Sequence, residues 1–292
     1  MEHRYERKAE DFGNVVGLEH VNVRIPDQQV ATLFYVSGLG LTRDPYLMTS
    51  TNNMWINIGR SQFHLPTGKP QVLRGRAGIV VPDREALLRR LAAVRKQLKG
   101  THFNVKEHNS FVEVTSPWGN RIRCHAPEER FGRITLGMPY VEFHVAPGTA
   151  DGIARFYRDV LAAATSVAED EHGRHVSVPV GDHQELVFRE ASGRAAPYDG
   201  HHIQIYIADF SGPYRRLLAK GLISEESDQH QYRFQDIVDP ESGKVLFTVE
   251  HEVRSMRHPL YNRPLVNRNP AQTNMNYAPG HDAWSWSMAL DD

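Results

Sequence analysis

The chain has 292 residues, enough for two domains of ordinary size, and its 40% hydrophobic and 24% charged residues are proportions of a packed globular protein. A formal net charge of −1 leaves no bulk field to draw nucleic acid or an anionic membrane. One cysteine, Cys124, excludes an internal disulfide framework; with no bilayer-length apolar run and no signal-peptide core at the start, a reducing cytoplasm is expected.

Residues 18–25 alternate apolar and polar side chains, the period of a strand. Residues 27–36 carry Val30, Leu33 and Phe34 at helical spacing, and Gly38 and Gly40 stop the helix. Short strands are predicted at 42–48, 54–58 and 61–65, after which Thr67-Gly68-Lys69-Pro70 breaks the pattern. A second unit follows: a strand at 77–81, a helix at 83–98 with Leu87, Leu88, Leu91 and Val94 on one face, and strands at 102–107, 111–116 and 121–125. Residues 128–138 read as a linker. The third unit has a strand at 140–145, a helix at 149–161, and strands at 166–170, 175–180 and 184–189. The fourth has a strand at 202–207, a helix at 210–220, and strands at 221–226, 232–236 and 245–250. The order strand, helix, three strands thus occurs four times, an α+β composition.

The halves also repeat as motifs. Gly17–Asp27 followed by Phe34-Tyr35 matches Pro139–Val145 followed by Phe156-Tyr157. The closing turn Ser116-Pro117-Trp118-Gly119-Asn120 matches Asp239-Pro240-Glu241-Ser242-Gly243. A period of roughly 120 residues is too long for a solenoid and means one domain type used twice. The boundaries read as residues 1–127, a linker at 128–138, a second domain at 139–254, and a tail at 255–292. Pro259, Pro264, Pro270 and Pro279 exclude a long helix or central strand in the tail. Leu260, Tyr261, Leu265, Val266, Tyr277, Trp284, Trp286 and Met288 make it too apolar for a disordered one, so an extended arm packed on apolar surface is expected.

Four βαβββ units, the His-containing first strand followed by Phe34-Tyr35, the Val-Pro-Asp83 strand end and the Pro-Trp-Gly-Asn-Arg turn together resemble the vicinal oxygen chelate superfamily, the group of glyoxalase I, bleomycin-resistance proteins and extradiol dioxygenases. The resemblance covers about residues 17–252. It implies two tandem domains, each an open, eight-stranded, barrel-like sheet, and members that often pair, so a homo-oligomer is expected.

The resemblance also implies a metal in the cup, with ligands from the first strand of each unit and the last strand of a unit. Two imidazoles and a carboxylate leave positions where two substrate oxygens can chelate. In the first half His20 holds the first position, but Arg76 and Arg123 hold the matching ones, and arginine has no lone pair to give. His64 and His125 are nearby alternatives. This half is expected to hold no metal; its arginines suit an anionic group. In the second half His202 stands seven residues before Asp209, and Tyr140, Glu142 and His144 share one strand face. The closing strand has two registers, one turning Leu246, Thr248 and Glu250 inward, the other Phe247, Val249 and His251. The metal set read here is His144, His202 and Glu250, with Glu142, Glu185 and His20 as alternates. Glu185 matches the extra carboxylate of glyoxalase I-like members. His230, Tyr232 and Asp239-Pro240 follow the extradiol signature, but Asp236 stands where a tyrosine belongs, which counts against ring cleavage. His230 and Tyr232 are read as acid–base groups.

The expected function is a metal-dependent, dioxygenase-like enzyme that chelates a small oxygenated substrate through adjacent oxygens. Fe(II) or Mn(II) is preferred to Zn(II). The alternatives are a glyoxalase-like lyase or isomerase and a metal-free small-molecule binding or resistance protein. No Gly-rich phosphate loop, nucleic-acid site or membrane segment is read. Cys124 is read as structural, because its neighbour His125 faces the other side of the strand.

Overall fold

The computed structural model describes residues 5, 7–47, 52–193 and 196–268. The first unit comprises β1 (Val15–Asn22), α1 (Gln28–Ala31, continuing as a π-helical segment Thr32–Gly38), β2 (Thr42–Arg43), β3 (Asn53–Ile58) and β4 (Ser61–Pro66). The second comprises β5 (Gly75–Val80), α2 (Arg84–Val94), β6 (Asn104–Glu107), β7 (Val112–Thr115) and β8 (Arg121–His125). The third is β9 (Gly137–Val145), α3 (Ala150–Leu161), β10 (Ser166–Asp170), β11 (Gly173–Gly181) and β12 (Gln184–Glu190). The fourth is β13 (His202–Ile207), α4 (Ser211–Ala219), β14 (Ile223–Asp228), β15 (Gln231–Val238) and β16 (Val245–Ser255).

The sequence explains where the helices start. Asp27 and Asp83 sit in extended backbone before α1 and α2, and their carboxylates accept the first free amides, from Gln29 and Val30 and from Ala86. Each such cap stabilises a helix by about 1 kcal/mol. Asp209 does the same before α4, accepting from Gly212 N at 3.0 Å. A Cβ on Gly212 would stand 2.0 Å from that carboxylate, so any larger residue there must push it aside. Helix α3 buries Ile153, Phe156, Tyr157, Val160 and Leu161 on one face. Each large apolar side chain so buried stabilises the fold by about 1.5–3 kcal/mol.

Two open eight-stranded sheets result, as the repeated pattern predicts. One has the order β14-β15-β16-β13-β1-β4-β3-β2, the other β10-β11-β12-β9-β5-β8-β7-β6. The sequence reading pairs neighbouring units within each half; the ladders pair the first unit with the fourth, and the second with the third. First strands meet antiparallel at both junctions, β1 with β13 and β5 with β9. Nothing in the alternation of a first strand specifies its partner. The short connection after β8 favours the third unit beside the second, since sequential elements tend to neighbour in space. The β1 edge then closes with the fourth unit.

One apolar cluster runs through both sheets and their helices. Gln184 ties the sheets together: its side-chain amide donates to Leu18 O (3.1 Å), Ser61 Oγ (3.0 Å) and Met138 O (3.0 Å). The start of the tail, up to residue 268, packs on the first sheet. Asn267 is fully buried, its amide bonded to Gly59 N and O at 3.0 and 2.8 Å, and Arg263 pairs with buried Asp44 at 2.8 Å. Pro270, Tyr277, Pro279, Trp284, Trp286 and Met288 lie outside the described residues. Among the described residues no helix is long and apolar enough to cross a membrane.

Candidate metal centre

The first sheet has an apolar face and a polar face. Val21, Phe63, Ile203, Ile205, Val249 and Val253 point to the core. Their alternates on the same strands are His20, Gln62, His64, His202, Gln204, Glu250, Glu252 and Arg254. The registers bring these into line: Asn22 lies opposite His202 and His64, and His202 lies opposite Glu250. A register shift between Leu18 and His20 marks a bulge at Glu19. The extra residue leaves the Glu19 carboxylate 3.3 Å from His20 Nδ1, although the two are sequence neighbours.

His20, His64 and His202 each offer a ring nitrogen within 4.8 Å of the other two. All three are neutral at pH 7. Burial, then Arg254 and Arg233, holds His20 well below the ordinary imidazole range. Burial, then His20, pushes His64 down to about 2. Burial, then His20 and Arg233, lowers His202 as well. A neutral imidazole keeps the lone pair that a metal needs.

The surrounding groups orient these rings. Glu19 accepts from His20 Nδ1 and is itself held by Arg254 Nη1 at 2.8 Å, which leaves Nε2 of His20 as the lone-pair nitrogen. Asn53 Oδ1 takes the proton on His64 Nε2 (2.8 Å), and Asn22 Nδ2 approaches Nδ1 at 2.6 Å. The Trp55 ring stacks on His64, with centroids 3.7 Å apart. Glu250 lies 3.4 Å from His202 Nδ1 and Glu252 3.5 Å from His202 Nε2. Arg233 binds both carboxylates, at 2.5 and 2.6 Å.

This donor set fits a divalent cation. His20 Nε2 and His202 Nε2 are buried and meet no hydrogen-bonding partner among the described residues. Buried ring nitrogens rarely go unpaired in a folded protein. Three carboxylates (Glu19, Glu250, Glu252) face two guanidinium groups (Arg233, Arg254), so the polar face carries an excess of negative charge when these groups are ionised. Burial raises Glu19 and Glu252 above their ordinary range, with Arg254 opposing. A cavity of about 370 Å³ opens beside the cluster and shares Glu19 with it; Tyr206, Gln184, Tyr261 and Arg263 also line it.

The residues singled out from sequence divide between the two sheets. His202, Glu250 and the alternate His20 lie together. His144 does not join them: it is on β9 in the second sheet, beside Glu142, Arg76 and Arg121. The alternates Glu142 and Glu185 are in that sheet too. The set His144, His202 and Glu250 is therefore not one site, because the units that carry them pair with different partners. His230 is in the turn between β14 and β15. Tyr232 is buried on the helix side, its ring against Phe210 and Tyr214, because it pairs with Val253 on the core face. Neither reaches the polar face. The register left open in β16 resolves as Thr248, Glu250 and Glu252 on the polar face.

Sequence reading named His64 only as an alternative in a half expected to hold no metal, and passed over Glu252. Their signal was a polar residue on the inward parity of an otherwise apolar strand: Gln62 and His64 against Phe63 and Leu65, Glu250 and Glu252 against Val249 and Val253.

The two open eight-stranded sheets have the fold of solved glyoxalase-like structures. A crystal structure from Bacillus subtilis subsp. subtilis str. 168, described provisionally as a dioxygenase, is similar at a TM-score of 0.56 and 16% identity, over 84% of this chain and 86% of that one. Glyoxalase I from Zea mays is similar at 0.54 and 12% identity, over 86% and 95%. No protein-family model matches the sequence, and no curated protein matches it.

Proposed function

We propose that the chain is a metal-dependent enzyme, dioxygenase-like, that takes a small oxygenated substrate through two adjacent oxygens at the centre of His20, His64 and His202. The observation that carries this reading is three neutral imidazoles, His20 and His202 buried and His64 partly so, with donor atoms within 4.8 Å of one another, drawn from the first and last strands of paired units. His20 and His202 would bind through Nε2, and His64 through Nδ1 once the Asn22 amide that approaches it at 2.6 Å gives way. Glu252 is the carboxylate on the Nε2 side of His202; Glu250, on the Nδ1 side, would orient that ring. Mixed imidazole and carboxylate ligands suit Fe(II) or Mn(II), with Zn(II) the next choice. When bound, such an ion supplies Lewis acidity to substrate oxygens. The protein's own part is to hold neutral imidazoles in place, to fix the carboxylates through Arg233 and Arg254, and to keep the apolar wall of Trp55 against His64.

The likeness to a structure described as a dioxygenase supports this at the level of fold, where many chemistries share one architecture. The comparable likeness to glyoxalase I keeps a lyase or isomerase as the second reading. Elemental analysis of untagged protein decides metal dependence. About one divalent ion per chain is expected, falling at least tenfold in His20→Ala and His202→Ala and unchanged in His144→Ala. A wild type that takes up no Fe, Mn or Zn, or a His202→Ala variant that holds as much as wild type, would overturn the reading. Oxygen uptake with a panel of catechols, set against turnover of a glutathione hemithioacetal, separates the two chemistries.

A further inference from the structure

The second sheet carries a different chemistry on its matching face. Arg76 lies opposite Glu142, Arg189 opposite His144, and Arg123 opposite Gly78. Arg121 is two residues before Arg123, so the alternation turns all four guanidinium groups to the side away from Ile122, Cys124, Val141 and Phe143 in the core. Tyr140 fills the hollow over Gly78, where a Cβ would stand 2.2 Å from its ring.

The acceptors do not match the donors. Glu142 pairs with Arg76 at 3.0 Å and with Arg189 at 3.3 Å. Glu113 is 3.6 Å from Arg76 and 3.8 Å from Arg123. Asp170, at the rim, takes Arg189 at 2.7 Å. Glu185 is opposite Tyr140 and has no ion pair among the described residues. Arg121 has no carboxylate partner among the described residues; its Nη2 reaches only Gly75 O and His144 Nδ1, each at 3.4 Å. His144 Nε2, 3.2 Å from Glu142 Oε1, must carry the ring proton to bond that carboxylate, so Nδ1 is the acceptor for Arg121. Arg76 Nη2 lies 3.1 Å from the same Nε2 and so points an N–H at an N–H. The face thus holds a guanidinium without a carboxylate and a second one with a donor aimed at a donor, both partly shielded from water.

We propose that this face binds a small oxyanion group, a phosphate or a carboxylate, between Arg76, Arg121 and Arg123. Arginine forks present paired N–H donors in the geometry that such groups accept, and arginine cannot serve a metal. An anion there would give Arg121 its missing partner and would receive the misdirected N–H of Arg76. The site is independent of metal at the histidine centre.

Calorimetric titration of the full chain with sodium phosphate and with sodium malonate, each against sodium chloride at equal ionic strength, tests this. At least one of the two should bind saturably, and which one tells phosphate from carboxylate. Arg121→Gln should weaken that binding about tenfold or more, the loss of one charge-assisted contact. It should leave metal content unchanged and should not lower the melting temperature of the unliganded protein, since it removes a cation that has no carboxylate partner. If Arg121→Gln does not fold, Arg123→Gln carries the same comparison. Binding of neither anion beyond chloride, or wild-type affinity in the folded variant, would overturn the proposal.

Discussion

Replacing His251 with glutamine makes the cost of a buried neutral imidazole measurable. His251 is fully buried on the core side of β16, stacked on Phe234 with centroids 4.3 Å apart. Its Nδ1–H donates to Val249 O at 2.9 Å, and Tyr157 Oη donates to Nε2 at 2.5 Å, so the neutral tautomer satisfies both nitrogens. Burial pushes the ring down to about 3. In the unfolded chain it titrates near 6.5. Between these values the unfolded state binds a proton that the folded state refuses. The stability this contributes is complete above about pH 6.5 and is lost as pH falls toward 3, at about 1.4 kcal/mol per pH unit and at most about 5 kcal/mol in all. That is comparable to the whole stability of many domains, about 5–15 kcal/mol. Urea unfolding at 25 °C in chelator-containing buffer, stepped from about pH 7.5 to about pH 4, reads it. At the upper end His251→Gln should be less stable than wild type by about 1–3 kcal/mol, for the lost stacking and the altered bond to Tyr157. The gap should shrink by about 1.4 kcal/mol per pH unit and close near pH 5. Two stability curves that run parallel across this range would refute the reasoning, because His251 would then titrate alike in both states.

Asn267→Ala removes both bonds to Gly59 and leaves its buried N–H and C=O without partners, at a cost of about 1–3 kcal/mol; residues 256–268 should open more often and be cut faster by trypsin after Arg257 and Arg263, and an unchanged cleavage rate would count against that docking. Gly212→Ala forces the Asp209 carboxylate off the start of α4 and should destabilise the fold by about 1–2 kcal/mol, read as a lower melting temperature; equal melting temperatures would show that the carboxylate moves aside freely.

What could be read from the residues alone was set by local periods. The alternation in β1 and β13 identified both as strands, and the place of His20 in the first strand and of His202 seven residues before Asp209 marked two candidate ligand positions. The same alternation put Tyr140, Glu142 and His144 on one face. It could not say which sheet that face belongs to. The partner of β1 begins almost two hundred residues later, and no local signal in a first strand distinguishes β13 from β5. His144 was therefore grouped with His202, and His64 was set aside with a half thought to lack a site. The bulge at Glu19 was equally hidden, since it arises from how β1 meets β13. Arg76 and Arg123 needed no pairing to be understood: a guanidinium in a ligand position excludes a metal whichever strand lies beside it.

The order in which the units pair has a consequence for synthesis on the ribosome. The second sheet needs only residues 75–190, so it can close while the fourth unit is still being made. The first sheet joins the two ends of the chain. Until residues 202–255 emerge, β1 stands as an open edge without its antiparallel partner β13, and His20 is without His202. Such an edge invites pairing with another copy, and its late closure across a long separation is slow. The histidine centre is thus among the last parts to form, and a chain cut short in the fourth unit would keep the arginine face while lacking the complete histidine cluster.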